Sequence, residues 1–182
     1  MQSFLRKFQG ISLAAIFVFS TTSAWADEPP PCMAYNNPKP INNQEVNHWK
    51  RTTPNQFRER AHVKGNVIHL YPDHSGHLHF EIAIGPNDGD TIEVIYNQDF
   101  GNATLPKMGD VVEACGDYIT STAQAGGFPA SPDGAIIHWV HKSPNEQRHP
   151  DGFMFYDNTL FGQATQNAGP KHGGCFGRHC PQ

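Results

Sequence analysis

The sequence predicts an all-β fold: a small five-stranded barrel of the oligonucleotide/oligosaccharide-binding (OB) type, with a short N-terminal helix and flexible tails. Three observations predict it. From Ala61 onward the apolar period is two; in His77–Ile84, Leu78, Phe80, Ile82 and Ile84 share one face while His77, His79 and Glu81 share the other. Turn chemistry at Pro72–Gly76, Gly85–Asp90 and Gly126–Pro129 cuts the chain at strand-length intervals. The order is a three-stranded meander, an irregular link at 98–109 and a two-stranded hairpin, which is the order of that barrel. A β-sandwich is the competing architecture, but it needs about seven strands.

Residues 1–26 read as a secretory signal peptide. Arg6 and Lys7 form its basic end, Gly10–Phe19 its apolar stretch, and Ala24-Trp25-Ala26 its small-x-small cleavage site. The apolar run is short for a membrane span, so the expected mature chain is exported, periplasmic or extracellular, with no membrane anchor. Cleavage leaves 156 of the 182 residues, enough for one domain with a modest core. It also removes two basic residues, leaving a formal charge of −6. That acidity argues against nucleic acid, whose binding rests on a basic surface, and favours a small molecule, glycan, peptide or metal ion.

Residues 27–41 are proline-rich and read as an extended linker. Asn42 or Asn43 can cap a helix through about Arg51, with Val46 and Trp49 on one face and Pro54 ending it; a second helical turn is expected over Gln56–Arg60. The barrel domain spans 42–157. Its strands are predicted at His62–Leu70 (with Gly65 marking a bulge or bend), His77–Ile84, Thr91–Tyr96, Val111–Thr120 and Ala135–His141, with Phe153–Tyr156 as a short edge. Residues 158–182 read as a flexible Cys/His tail.

Four cysteines in an exported chain permit disulfides. Cys175 and Cys180 are the expected pair; as thiolates beside His172 and His179 they would instead suit zinc or copper. Cys115, inside an apolar strand, reads as a buried thiol packing as a small hydrophobe.

Eleven histidines carry most of the functional information. Strands two and three are antiparallel across the 85–90 turn, so His77 falls beside Asn97 and Asp99. The parallel pairing of strands three and five brings Asn97 toward His141, and the following loop delivers His149. Asp73 and His74 sit in the adjacent first turn. His138 and His141, three apart, point to opposite faces of a regular strand. Trp139 is either core or a stacking surface.

The candidate ligand-binding set is therefore Asp73, His77, Asn97, Asp99, His138, Trp139, His141 and His149. A metal ion, zinc or copper, would be held by His77, His79, His141 and His149. Three functions compete: an exported binding domain, a metal-dependent hydrolase with His77 or His141 as base and Asp99 as orienting group, and an extracytoplasmic metal buffer. No Gly-x-Ser-x-Gly or other nucleophile motif is present.

The run from about His62 to Phe153 resembles an uncharacterised family of small exported bacterial proteins. The matching residues are Val63-x-Gly65-x-Val67, Pro72-Asp73, His77-x-x-Phe80, Asn97-x-Asp99 and Gly109-Asp110-x-Val112-Glu113-x-x-Gly116-x-Tyr118. The most specific are Gly134-x-Ile136-x-His138-Trp139-x-His141 and His149-x-x-Gly152. The chain departs at Phe153, where the family tends to place tryptophan, in its longer 121–133 loop and in its Cys/His tail. The resemblance brings no established activity with it.

Overall fold

The computed structural model describes residues 28–144 and 149–164. A two-residue-stranded hairpin, β1 (Met33–Ala34) and β2 (Asn37–Pro38), precedes helix α1 (Asn43–Thr52). Then come β3 (Arg58–Leu70), β4 (His77–Ala83), β5 (Thr91–Asn97), a 3₁₀ turn at Gln98–Phe100, β6 (Val111–Thr120), β7 (Ala135–His138), β8 (Phe153–Tyr156) and β9 (Thr159–Phe161). The strands run β3-β4-β5-β7-β6, and β6 returns to β3, closing a five-stranded barrel in the OB order.

Closure depends on β3 serving two neighbours. Its first half, Arg58–Asn66, pairs antiparallel with β6, and its second half, Asn66–Leu70, with β4. The changeover lies at Gly65, where a Cβ would stand 2.0 Å from the Ala83 carbonyl oxygen, so only glycine lets the two backbones meet. A register shift between Val67 and His69 bends the strand further. Inside, Phe80, Ile82, Ile92, Val94, Tyr96, Tyr118 and Ile137 are fully buried, each worth about 1.5–3 kcal/mol of apolar transfer. Helix α1 buries Val46 and Trp49; the indole packs on Phe57 and Tyr118 at 6.0 and 5.4 Å between centroids.

Four expectations need correcting. Gln56–Arg60 is not helical: Gln56 takes a left-handed φ of 68°, and Arg58 already pairs with Ile119 of β6. Residues 32–39 form a hairpin fastened to the barrel rather than a free extended linker, with Lys39 N bonding back to the Cys32 carbonyl. Its anchor is a disulfide between Cys32 and Cys115, so Cys115 is no free thiol. The two cysteines are 83 residues apart, a separation that strand period does not register. Finally, the start of the expected tail continues the sheet, since Thr159–Phe161 pairs with β8. Cys175 and Cys180 lie outside the described residues.

Candidate functional site

Strand β7 stops at His138, three residues before the sequence suggests. Trp139 has φ 53°, an outlier for a bulky residue, and the pleat breaks there. The backbone of 139–142 is taken up elsewhere: Gly152 N donates to the His141 carbonyl (2.8 Å) and Lys142 N to the Gly162 carbonyl (2.7 Å). Glycines make this possible. A Cβ on Gly152 would stand 2.2 Å from the Trp139 carbonyl oxygen, and one on Gly162 would stand 2.5 Å from that of Val140. Breaking the strand cancels the alternation that separates His138 from His141.

Seven rings then form a chain across this end of the barrel. His79 and His77 lie 6.4 Å apart, His77 and His138 6.2 Å, His138 and Trp139 5.0 Å. Trp139 stacks on His149 at 5.5 Å, and His149 meets His141 edge-on at 5.4 Å. His141 lies flat on Phe100 at 3.5 Å. The Arg58 guanidinium stands over the Trp139 indole at 5.5 Å.

The hydrogen bonds of these imidazoles follow one rule. Nδ1 of His77 contacts the Ser75 carbonyl (3.0 Å), that of His141 the Lys142 carbonyl (2.7 Å), and that of His149 the Pro150 carbonyl (2.9 Å). A carbonyl only accepts, so each Nδ1 carries a proton, and in the neutral ring Nε2 keeps the lone pair. His79 Nδ1 donates to Glu93 Oε1 (2.7 Å). Among the described residues none is hydrogen-bonded to these Nε2 atoms, and His141 and His149 are themselves buried.

Burial disfavours the charged form of three of these rings. It pushes His138 down to about 3, helped by the surrounding imidazoles, and His141 down to about 4 against the opposing Lys142 carbonyl. His77 is lowered too, chiefly by burial, with the Ser75 carbonyl and Asp99 acting the other way.

Further along the same outer face the groups become acidic. Glu81 and Glu93 are directly opposed across β4 and β5. The second Glu93 oxygen accepts Ser131 Oγ at 2.6 Å, and Tyr71 OH bridges Glu81 and Asp133 at 3.4 and 3.3 Å. Burial, then the hydrogen bond to Glu81, raises Asp133 to about 7. Lys50 reaches toward this end, bonding the Thr91 carbonyl at 2.8 Å.

The predicted residues divide as follows. The β4–β5 register sets His77 opposite Asn97, and Asp99 is close enough to His77 to act on it electrostatically. Asn97 is spent locally: its Oδ1 accepts Asp99 N (2.9 Å) and caps the 3₁₀ turn. Asp73 is exposed in the β3–β4 turn. His138, Trp139, His141 and His149 come together, and His79 joins through His77. Among the described residues no three His, Cys, Asp or Glu donors stand where one metal ion could be held as they lie. Sequence reasoning missed Glu93, Asp133, Phe100 and Arg58. The register that pairs His77 with Asn97 also pairs Glu81 with Glu93, so that one was within reach; the stacking of Phe100 on His141 leaves no local signal.

A family model described as a protein of unknown function (DUF3465) matches residues 35–162. That span takes in the barrel, α1, the broken end of β7 and Gly162. No curated protein matches the chain.

Proposed function

The chain belongs to that DUF3465 family, and we propose that it is an exported binding domain whose working site is the imidazole–indole end of the barrel. The observation that carries this reading is a shared arrangement: His77, His141 and His149 each commit Nδ1 to a carbonyl and His79 commits its Nδ1 to Glu93, while no described residue pairs their Nε2 atoms. A purely structural histidine satisfies both nitrogens where it can. Trp139 adds backbone strain of about 1–3 kcal/mol, which collects at functional sites. The Cys32–Cys115 disulfide supports an oxidising compartment, and none of the described helices is long and apolar enough to cross a membrane.

Neutral imidazoles with Nδ1 held by carbonyl or carboxylate are also the arrangement of metal-binding histidines. Zinc or copper is therefore the first probe. Two imidazoles sharing one zinc at about 2.0–2.1 Å bring their centroids to roughly 5 Å, close to the 5.4 Å of His141 and His149 and shorter than the 6.2–6.4 Å around His77. Capture at the His77 side thus requires the rings to close on the ion. Zinc and copper titrations of the mature chain, monitored by histidine side-chain NMR, test this. Binding at these rings that weakens at least tenfold in both His77→Ala and His141→Ala supports the site. Ring signals unmoved by either metal, or binding untouched by both substitutions, remove metal from it.

One observation favours a hydrolase as the second reading. Glu93 orients His79 through Nδ1, leaving Nε2 placed as a general base. Phosphoester turnover by the metal-loaded protein, abolished in His79→Ala, would move the assignment from binding to catalysis. The metal-buffer reading rests on the Cys/His tail, which lies beyond the described residues.

A further inference from the structure

The 121–134 loop, which joins β6 to β7, is held in two ways. At its ends the bonds are between neutral groups: Ser121 N donates to the Gly134 carbonyl (2.9 Å), Gly134 N to the Ser131 carbonyl (3.0 Å), and Thr122 N to Asn55 Oδ1 (2.9 Å). Against the outer face of β4 and β5 they are not. Asp133 Oδ2 and Glu81 Oε2 share one Tyr71 hydroxyl, at 3.3 and 3.4 Å, and Thr91 Oγ1 faces Asp133 Oδ1 at 3.4 Å. The carboxyl groups of Asp133 and Glu81 also stand within hydrogen-bond reach of each other. Two carboxylates only accept, so that contact holds only with a proton on one of them.

The surrounding charges place that proton on Asp133. Glu81 of β4 and Glu93 of β5 both act on it as carboxylates. The cation that opposes them, Lys50 of α1, has its ammonium engaged by the Gly89 and Thr91 carbonyls and the Thr91 hydroxyl. Arg51 is paired with Asp90, and His79 with Glu93. Burial, then the bond to Glu81, raises Asp133 to about 7 with the loop down, while a lifted, solvated carboxyl returns to its ordinary 3.8. Asp133 is only partly buried, so the proton exchanges without opening the barrel. Between these two values the closed loop binds the extra proton. The ratio of open to closed therefore rises by up to about tenfold per pH unit and levels off above 7.

We propose that Asp133 is a proton-operated latch: protonated, it closes the 121–134 loop onto β4 and β5, and ionised, it lets the loop lift. Ser131 moves with it, because Ser131 Oγ accepts the Asp133 N–H (3.2 Å) while donating to Glu93 Oε2 (2.6 Å). Lifting therefore frees one Glu93 oxygen beside His79, whose Nδ1 the other oxygen holds. The acidic cluster opens toward the imidazole end as pH rises to neutral and shuts in acid. The latch stands on its own geometry; its use in ligand binding rests on the reading given to that end.

The test is amide hydrogen exchange of the metal-free protein from pH 4 to 8, read at Asp133 and Gly134, whose N–H groups bond Ser131 Oγ and the Ser131 carbonyl. Each rate is divided by its value in an unstructured peptide, and Ala114 and Cys115, paired on both sides in β6, report global opening. Protection at 133 and 134 is expected to fall at least about tenfold from pH 5 to 7, while that of the β6 amides does not fall with it. Asp133→Asn, which keeps a donor and never ionises, should hold protection flat over that range. Glu81→Gln, which removes the opposing charge, should move the fall down by about one pH unit or more. Protection at 133 and 134 that stays constant from pH 5 to 7 overturns the proposal, as does a fall that persists in Asp133→Asn. Should that variant not fold, an unmoved fall in Glu81→Gln overturns it equally. Zinc and copper take no part in this measurement, so its failure leaves the metal test of the imidazole end untouched.

Discussion

The outer face of β4, β5 and β7 carries two clusters that burial treats in the same way and that end differently. At one end His138 and His141 are pushed down to about 3 and about 4, so they stay neutral at pH 7 by refusing a proton. At the other, Asp133 is raised to about 7 and stays largely neutral in mildly acid solution by keeping one. The difference lies in what is left over. Glu93 has both oxygens occupied, by His79 and Ser131, and Asp133 is held by Tyr71 and Glu81. The acidic end is closed on itself and fastens the 121–134 loop to the sheet. The imidazole end keeps ring nitrogens that no described residue pairs, and the proposed binding role rests on that difference.

The largest expected effect breaks the closed end. Glu93→Ala strips the partners from His79 and Ser131 and is expected to lower stability by about 2–4 kcal/mol in urea denaturation at pH 7. His138→Leu at the open end, where no buried hydrogen bond is lost, should cost under about 1 kcal/mol. Equal losses would erase the distinction between the two ends.

A smaller effect, with opposite signs, comes from pH. The unfolded histidines titrate near 6.5, above the folded values of His138 and His141, so the unfolded state binds more protons on acidification. Stability is full above pH 6.5 and is lost as pH falls toward 4 and 3; His138→Leu should recover about 1–2 kcal/mol of that loss at pH 5. Asp133 runs the other way. Its folded value lies above the unfolded 3.8, so its contribution is present at low pH and is lost as pH rises toward 7. Asp133→Asn, which keeps a donor without the charge, should flatten that limb by about 1–2 kcal/mol. Urea midpoints from pH 4 to 8 for both variants check the signs, and parallel slopes in the two would contradict the account.

The sequence made the barrel readable where side-chain period and turn chemistry act locally. Val111–Thr120 and Phe153–Tyr156 have the expected bounds, and the 85–90 turn fixes the register that joins His77 to Asn97. What it could not show depends on distant backbones. Trp139 is left-handed because Gly152 and Gly162, well downstream, let the chain turn against them, and no pattern within β7 announces that. The Cys32–Cys115 bond likewise joins a proline-rich leader to a strand 83 residues on, in a chain whose four cysteines permit several pairings. At the candidate site the residue types were legible and their grouping only partly so. His138 joins His141 through the break in β7, while Asn97 turns back to cap its own 3₁₀ turn.

The most direct test of the imidazole end is the protonation pattern of its rings, read from long-range ¹H–¹⁵N histidine spectra of the metal-free protein at pH 7. The account predicts that His77, His141 and His149 carry the proton on Nδ1 and leave Nε2 bare, in keeping with the Ser75, Lys142 and Pro150 carbonyls that hold them. His138 and His141 should remain neutral when the sample is taken to pH 5. Protonated Nε2 in these rings at pH 7, or imidazolium at His138 and His141 by pH 5, would contradict it.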